Sequence, residues 1–160
     1  MNDAEVLARL ADLGHEVPAV TPPVAAYVPC VVSGSLAFVA GQVPIVDGVV
    51  LSPGHLGDDV TVEEGVAAAG RAALQALGVL RGTLGSFDRL VRLVQVGVFV
   101  ASTPAFTDHP KVGNGASELF LAALGDEGRH ARAAVGVPSL PLGSCVEVTV
   151  VAEIAPVGPA

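Results

Sequence analysis

The sequence predicts an α+β fold in which one sheet carries two long helices on a single face, with a short extra helix at the N-terminus. Three observations point there. Two stretches repeat apolar residues at intervals of three and four, several others are short and rich in β-branched residues, and the helical stretches alternate with pairs of strands rather than with single strands.

Taken in order, Val6, Leu7, Leu10 and Leu13 share one helical face and the pattern stops at Gly14, which predicts a helix from Asp3 to Leu13. In the Pro-rich passage Val17 to Pro23 the prolines remove donors and break any regular element, so it reads as a linker. Ala26–Val32 and Leu36–Gln42 favour extended chain, and Ser33-Gly34-Ser35 between them predicts a hairpin. Asp47-Gly48 predicts a second small hairpin within Val43–Leu51, followed by a loop from Ser52 to Asp59. Thr61 and Glu64 form a capping-box pair, so a helix should begin there. Its stripe runs through Val62, Val66, Ala69, Ala73, Leu77 and Leu80 and ends near Gly82 to Gly85. Leu90–Ala101, dense in Val and Leu, predicts a largely buried strand. A second helix is expected from about Pro110 to Leu124, capped by Asp108, with Val112, Ala116, Leu119 and Ala123 inward and Gly125 as its stop. Ala131–Val137 and Ser144–Ala155 read as two strands around a turn at Pro138 to Gly143.

The totals bound the function. A chain of 160 residues that is 51% apolar and 15% charged suits one folded core and argues against disorder. No apolar run reaches the roughly 20 residues of a membrane span. The first residues carry Asp3, Glu5 and Asp12 and do not resemble a secretory signal, so cytoplasmic residence is the default expectation. A net charge of −8 with no basic cluster disfavours a nucleic-acid partner. Cys30 and Cys145 are isolated and read as reduced thiols. His15, His55, His109 and His130 lie in four separate segments without ligand spacing, so they read as surface residues and metal ligation is not expected. The apolar surplus hints that another subunit covers part of the surface.

Within this frame one charge stands out. Arg132 lies in the otherwise apolar segment Ala131–Val137, where a guanidinium is costly to bury without an anion. Fifteen residues on, Glu147 interrupts a second apolar strand. If the two strands pair as a hairpin centred between Ser139 and Leu140, Arg132 faces Glu147 on one side of the sheet. Such a pair is either a structural ion pair or a carboxylate-binding arginine beside a carboxylate that positions water. Tyr27 heads the first hairpin and suits a core edge; Gly41 ends the second strand, as a bulge or as a point of close backbone approach; Asn114 suits a surface or capping position. Gly113 and Gly115 lack the rest of a phosphate-loop pattern and read as helix-packing residues.

Together these positions resemble the Rid/YjgF family of imine deaminases, from Ala25 to Ala155, with residues 1–24 as an appended helix and linker. The resemblance rests on Tyr27-Val-Pro-Cys-Val-Val-Ser-Gly34, on Phe38-Val-Ala-Gly41-Gln42-Val-Pro44, on Asn114, and most specifically on Ala131-Arg132-Ala-Ala134-Val followed by Leu140-Pro141 and Val146-Glu147-Val148. It implies a chorismate-mutase-like fold with a single mixed sheet, and a homotrimer with clefts between neighbouring subunits. In those clefts Arg132 would fork onto a substrate carboxylate and Glu147 would help hold water, with Tyr27, Gly41, Asn114 and Ala134 in the binding surface. The implied reaction is cofactor-free hydrolysis of small 2-imino acids or enamines to 2-keto acids and ammonia.

Two departures from the pattern matter: Ala40 stands where a serine is common and Ala134 where a cysteine is common. They place the chain in a side branch and motivate a second reading, a trimeric keto-acid-binding module without turnover. The ribonuclease label sometimes attached to the family conflicts with the acidic balance.

Overall fold

The computed structural model describes residues 1–19 and 26–156; part of the linker expected at Val17 to Pro23 lies outside them. Helix α1 spans Asp3–Asp12, and Asn2 caps it through a bond from the Glu5 amide. Its Val6 and Leu10 are buried in the main core. The Asp3 carboxylate accepts from Arg81 Nε at 2.9 Å, from Arg81 Nη2 at 3.0 Å and from the Phe87 amide at 2.8 Å. That set holds its pKa below the ordinary value, chiefly through Arg81, and clamps α1 to the end of the next helix.

Strands β1 (Cys30–Ser33) and β2 (Leu36–Gln42) form the first hairpin, with Gly34 at φ +59° in the turn. The first strand is shorter than expected: the chain before Cys30 makes no ladder pairs, so Tyr27 lies outside the sheet. β3 (Ile45–Val46) and β4 (Val49–Val50) form the small second hairpin, where Asp47 and Gly48 both take positive φ as a tight two-residue turn requires. Leu56 pins the following loop, for it is fully buried and bridged to Val60 and Ser102.

Helix α2 (Val62–Leu84) starts at the Thr61–Glu64 capping box and stops at left-handed Gly85. Ala69, Ala73, Leu77 and Leu80 are buried, and each such leucine contributes roughly 1.5–3 kcal/mol. Helix α3 (His109–Leu124) buries Val112, Ala116, Leu119 and Ala123 as the periodicity predicts. Asp108 sits at its N-cap position without capping it; its carboxylate accepts from Lys111 Nζ at 2.7 Å instead. The helical glycines have packing roles: a Cβ on Gly115 would come within 2.0 Å of the Val66 carbonyl oxygen, so α2 and α3 cross backbone against backbone.

The main sheet is mixed, in the order β1-β2-β7-β5-β6, where β5 is Leu90–Ala101, β6 Ala131–Val137 and β7 Val146–Ile154. β7 is antiparallel to β2 and β5, and β6 runs parallel to β5 at the edge. Ala37, Val39, Val96, Val98, Val100, Val146, Val148, Val150 and Ala152 are all buried on the face that α2 and α3 cover. β5 is therefore buried along one face, not both.

The expected hairpin of β6 with β7 does not form. β5 lies between them, and the chain from Pro138 to Cys145 steps over its end, aided by a 3-10 turn at Pro141–Gly143. Crossing one strand means covering about 10 Å, well within the reach of eight residues. Arg132 is consequently level with Val96 and Val150, whereas Glu147 is level with Phe99 and Val135. Val96 and Phe99 are an odd number of residues apart, so Arg132 and Glu147 point to opposite faces of the sheet and form no pair.

Candidate functional site

The predicted residues fall into two clusters, one on each face. On the helix side, Arg132 projects from edge strand β6 along α3. Its Nη1 donates to Asn114 Oδ1 and to Ser117 Oγ, both at 3.0 Å, and its Nη2 donates to the Pro110 carbonyl at 3.2 Å. The guanidinium can lie flat there because position 113 is glycine: a Cβ on Gly113 would sit 3.3 Å from both Arg132 Cζ and Ala134 Cβ. Ala134, two residues along and on the same face, fills the remaining gap against α3.

Every acceptor on Arg132 is electrically neutral, and among the described residues it makes no ion pair. A guanidinium has five N–H donors. Three are engaged, which leaves Nε–H and one hydrogen on the neighbouring Nη2, an adjacent pair suited to the two oxygens of a carboxylate. The side chain is half-buried on an open groove of about 290 Å³ that Ser117, Leu121, Arg129 and His130 also line.

Beneath Arg132 lies a relay that the sequence reading missed. Ser117 Oγ is 3.0 Å from His130 Nε2, and His130 Nδ1 is 2.7 Å from the Gly128 carbonyl oxygen. His130 is thus no surface residue: it is half-buried, with its ring edge-on to Phe120 at 5.8 Å between centroids. Burial first, and then the nearby Arg132 charge, pushes its pKa below the ordinary histidine value, against the Gly128 bond. Helical spacing held a clue, since Asn114, Ser117 and Leu121 follow at i, i+3 and i+7 and must share a face.

On the opposite face, Glu147 on β7 packs against Gly41 on β2. A Cβ at Gly41 would fall 1.5 Å from Glu147 Oε1, so only glycine leaves room for the carboxylate. The β2–β7 register shifts between Val39 and Gln42, which makes Gly41 part of a bulge. Burial pushes the Glu147 carboxyl above its ordinary value. Around it the uncovered face is apolar, with Val31, Phe38 and Val135 each more than 40% exposed. Tyr27 is 55% exposed and joins neither cluster through a hydrogen bond.

A third feature went unforeseen. At the C-terminal ends of β5 and β6 an open cleft of about 710 Å³ is lined by His55, Ser102, Phe106, His109 and Gly136. His55 Nε2 lies 3.0 Å from the Pro138 carbonyl oxygen, and His109 Nε2 lies 3.1 Å from Ser102 Oγ. No group of three or more potential metal ligands occurs among the described residues. Both cysteines are free; burial pushes the Cys145 thiol up to about 11, which keeps it protonated and inert. No described helix is long and apolar enough to cross a membrane.

Comparison with known proteins places the fold in a family. Residues 7–154 match the family model described as "YjgF/chorismate_mutase-like, putative endoribonuclease". The chain is 46% identical over 150 residues to Protein TCP17 of Trypanosoma cruzi, covering 93% of this chain and 94% of that protein. A crystal structure of a protein of unknown function from Agrobacterium tumefaciens superposes with a TM-score of 0.89 at 38% identity, covering 95% of this chain and 93% of that one. One from Shewanella oneidensis, which carries the endoribonuclease label, also gives 0.89, at 34% identity and covering 92% and 98% of the two chains. With the match spanning nearly all of α1 to β7, the chain belongs to the YjgF/chorismate-mutase-like family.

Proposed function

We propose that this chain hydrolyses small 2-imino acids, or their enamine tautomers, to 2-keto acids and ammonia, in clefts formed between neighbouring copies of a homotrimer. The observation that carries this reading is Arg132, a half-buried guanidinium held only by neutral acceptors with an adjacent donor pair left over. Fixed in that way, it offers a carboxylate a fork whose orientation is settled before binding.

Glu147 supplies the other half. Since it lies across the sheet from Arg132, one chain cannot close a site around both. On this reading, therefore, a second copy covers the exposed apolar residues Val31, Phe38 and Val135 and presents its own Arg132 edge to Glu147. In the joined cleft Glu147 accepts a proton from water as its oxygen bonds to C2 of the protonated imine, then returns that proton to the amino nitrogen; the C–N bond breaks as the hydroxyl loses its proton, leaving the keto acid, ammonia and the free carboxylate. A carboxyl with a raised pKa is a stronger base than an ordinary one and suits that role. Protonated imines are already electrophilic, so orientation and charge placement suffice and no cofactor is called for.

The test mixes purified protein with freshly generated 2-iminopropanoate and compares wild type with Arg132→Ala. Faster ammonia release by wild type supports the reading, and equal rates from both reject it. Ala40 and Ala134, which leave the cleft without a hydroxyl and a thiol, favour a second reading, a keto-acid-binding module. Pyruvate-dependent thermal stabilisation with no ammonia release would select that one. The ribonuclease reading requires RNA to approach a chain of net charge −8; undetectable binding at low salt would dispose of it.

A further inference from the structure

With His130 neutral, the donors and acceptors around Ser117 admit one consistent arrangement. The Gly128 carbonyl can only accept, so the proton of a neutral His130 ring sits on Nδ1. Nε2 is then an acceptor, and the Ser117 hydroxyl hydrogen points to it. That turns an oxygen lone pair of Ser117 towards Arg132 Nη1, which donates to it. Every member of the chain from Arg132 through Ser117 and His130 to Gly128 is satisfied, in one direction.

We propose that His130 is a positioning residue for Arg132: by accepting a hydrogen bond from the Ser117 hydroxyl it turns an oxygen lone pair of Ser117 towards Nη1 and so fixes which guanidinium edge faces the groove. Its value to the protein rests on the reading of Arg132 as a carboxylate-binding group, because Nη1 is thereby occupied and the Nε and Nη2 hydrogens are the ones presented. Arg132 lies on one side of the ring, and its charge favours the neutral form. Arg129, beside it on its own segment, is paired with Asp126 at 3.0 Å, and a second pocket on the other side of the ring is lined by Arg92 of β5 and Glu153 of β7, one charge of each sign. Protonation would make Nε2 a donor, and Ser117 would then have to turn its own hydrogen elsewhere.

The test uses the full chain, labelled with nitrogen-15 and free of ligand. Long-range nitrogen–proton correlations read the His130 tautomer, and solvent exchange of the Arg132 Nε–H reads how firmly the guanidinium is held. The expected ring is neutral with its proton on Nδ1. His130→Phe and Ser117→Ala should speed the exchange about fivefold, the factor expected for losing one neutral hydrogen bond. His130→Gln, whose amide oxygen can still accept from Ser117, should restore it to near the wild-type rate. A ring protonated on Nε2 in the wild type, which no variant's folding can confound, would overturn the proposal, as would an unchanged exchange rate in His130→Phe. With no ligand present, this result is independent of whether imines are hydrolysed.

Discussion

At the scale of single residues, the geometry separates two kinds of requirement. Arg132 is constrained by shape as well as charge, for it lies over Gly113 and spends three donors on α3. Arg132→Lys keeps the charge but loses the fork, and pyruvate affinity measured by titration calorimetry should fall about tenfold or more, the worth of one charge-assisted hydrogen bond. Retained affinity would mean that only the charge matters. Glu147 is constrained by burial. Because its folded pKa lies above the ordinary 4.5, its favourable contribution is complete below that pH and is lost as pH rises through the folded value. Glu147→Gln should therefore melt at a higher temperature than wild type at neutral pH, and the gap should close below about pH 4.5. A gap independent of pH would show that the carboxyl is not desolvated. These roles were only half legible in the sequence. Arg132 and Glu147 stood out because each interrupts an apolar strand, whereas Ser117 and His130 are ordinary in composition and matter only through what α3 and the segment before β6 bring together.

At the scale of elements, local chemistry was a good guide and long-range pairing was not. The Thr61–Glu64 box, the Asp47-Gly48 turn and the apolar stripe of α3 each act within a few residues and appear as read, whereas the α2 stripe is buried from Ala69 onward and its first two members, Val62 and Val66, are only half-buried. The order of strands is different in kind. Nothing in Ala131–Val137 states which neighbour it will choose, and a Pro- and Gly-bearing connection reads equally as a turn or as a step over one strand. The small residues of β6 suit an edge position, where the strand is half-buried or exposed throughout. Glycine in α3 is the clearest element-level prediction. With the Val66 carbonyl oxygen 2.0 Å from a would-be Cβ, Gly115→Ala must push two helix backbones apart. It should cost about 3 kcal/mol, or roughly 10 °C in melting temperature for a domain of this size. A shift within a degree or two would show that α2 and α3 are not in such close contact.

At the scale of the whole molecule, Arg132 and Glu147 point to opposite faces of the sheet, so a site that used both would need two chains. A single chain offers two incomplete surfaces: a guanidinium in a groove on the helix side and a carboxylate in an apolar field on the bare side. Both become useful together only if copies associate in a ring, head to tail, so that each cleft takes its arginine from one chain and its glutamate from the next. The measurement that tests this most directly is complementation. Arg132→Ala and Glu147→Gln are each purified, assayed alone for ammonia release from 2-iminopropanoate, then unfolded together in equal amounts and refolded. If each cleft draws the two residues from different chains, each variant alone is inactive and the mixture recovers about a quarter of wild-type activity, because half the clefts receive a good arginine and half of those a good glutamate. A refolded mixture as inactive as its parents would contradict the shared cleft.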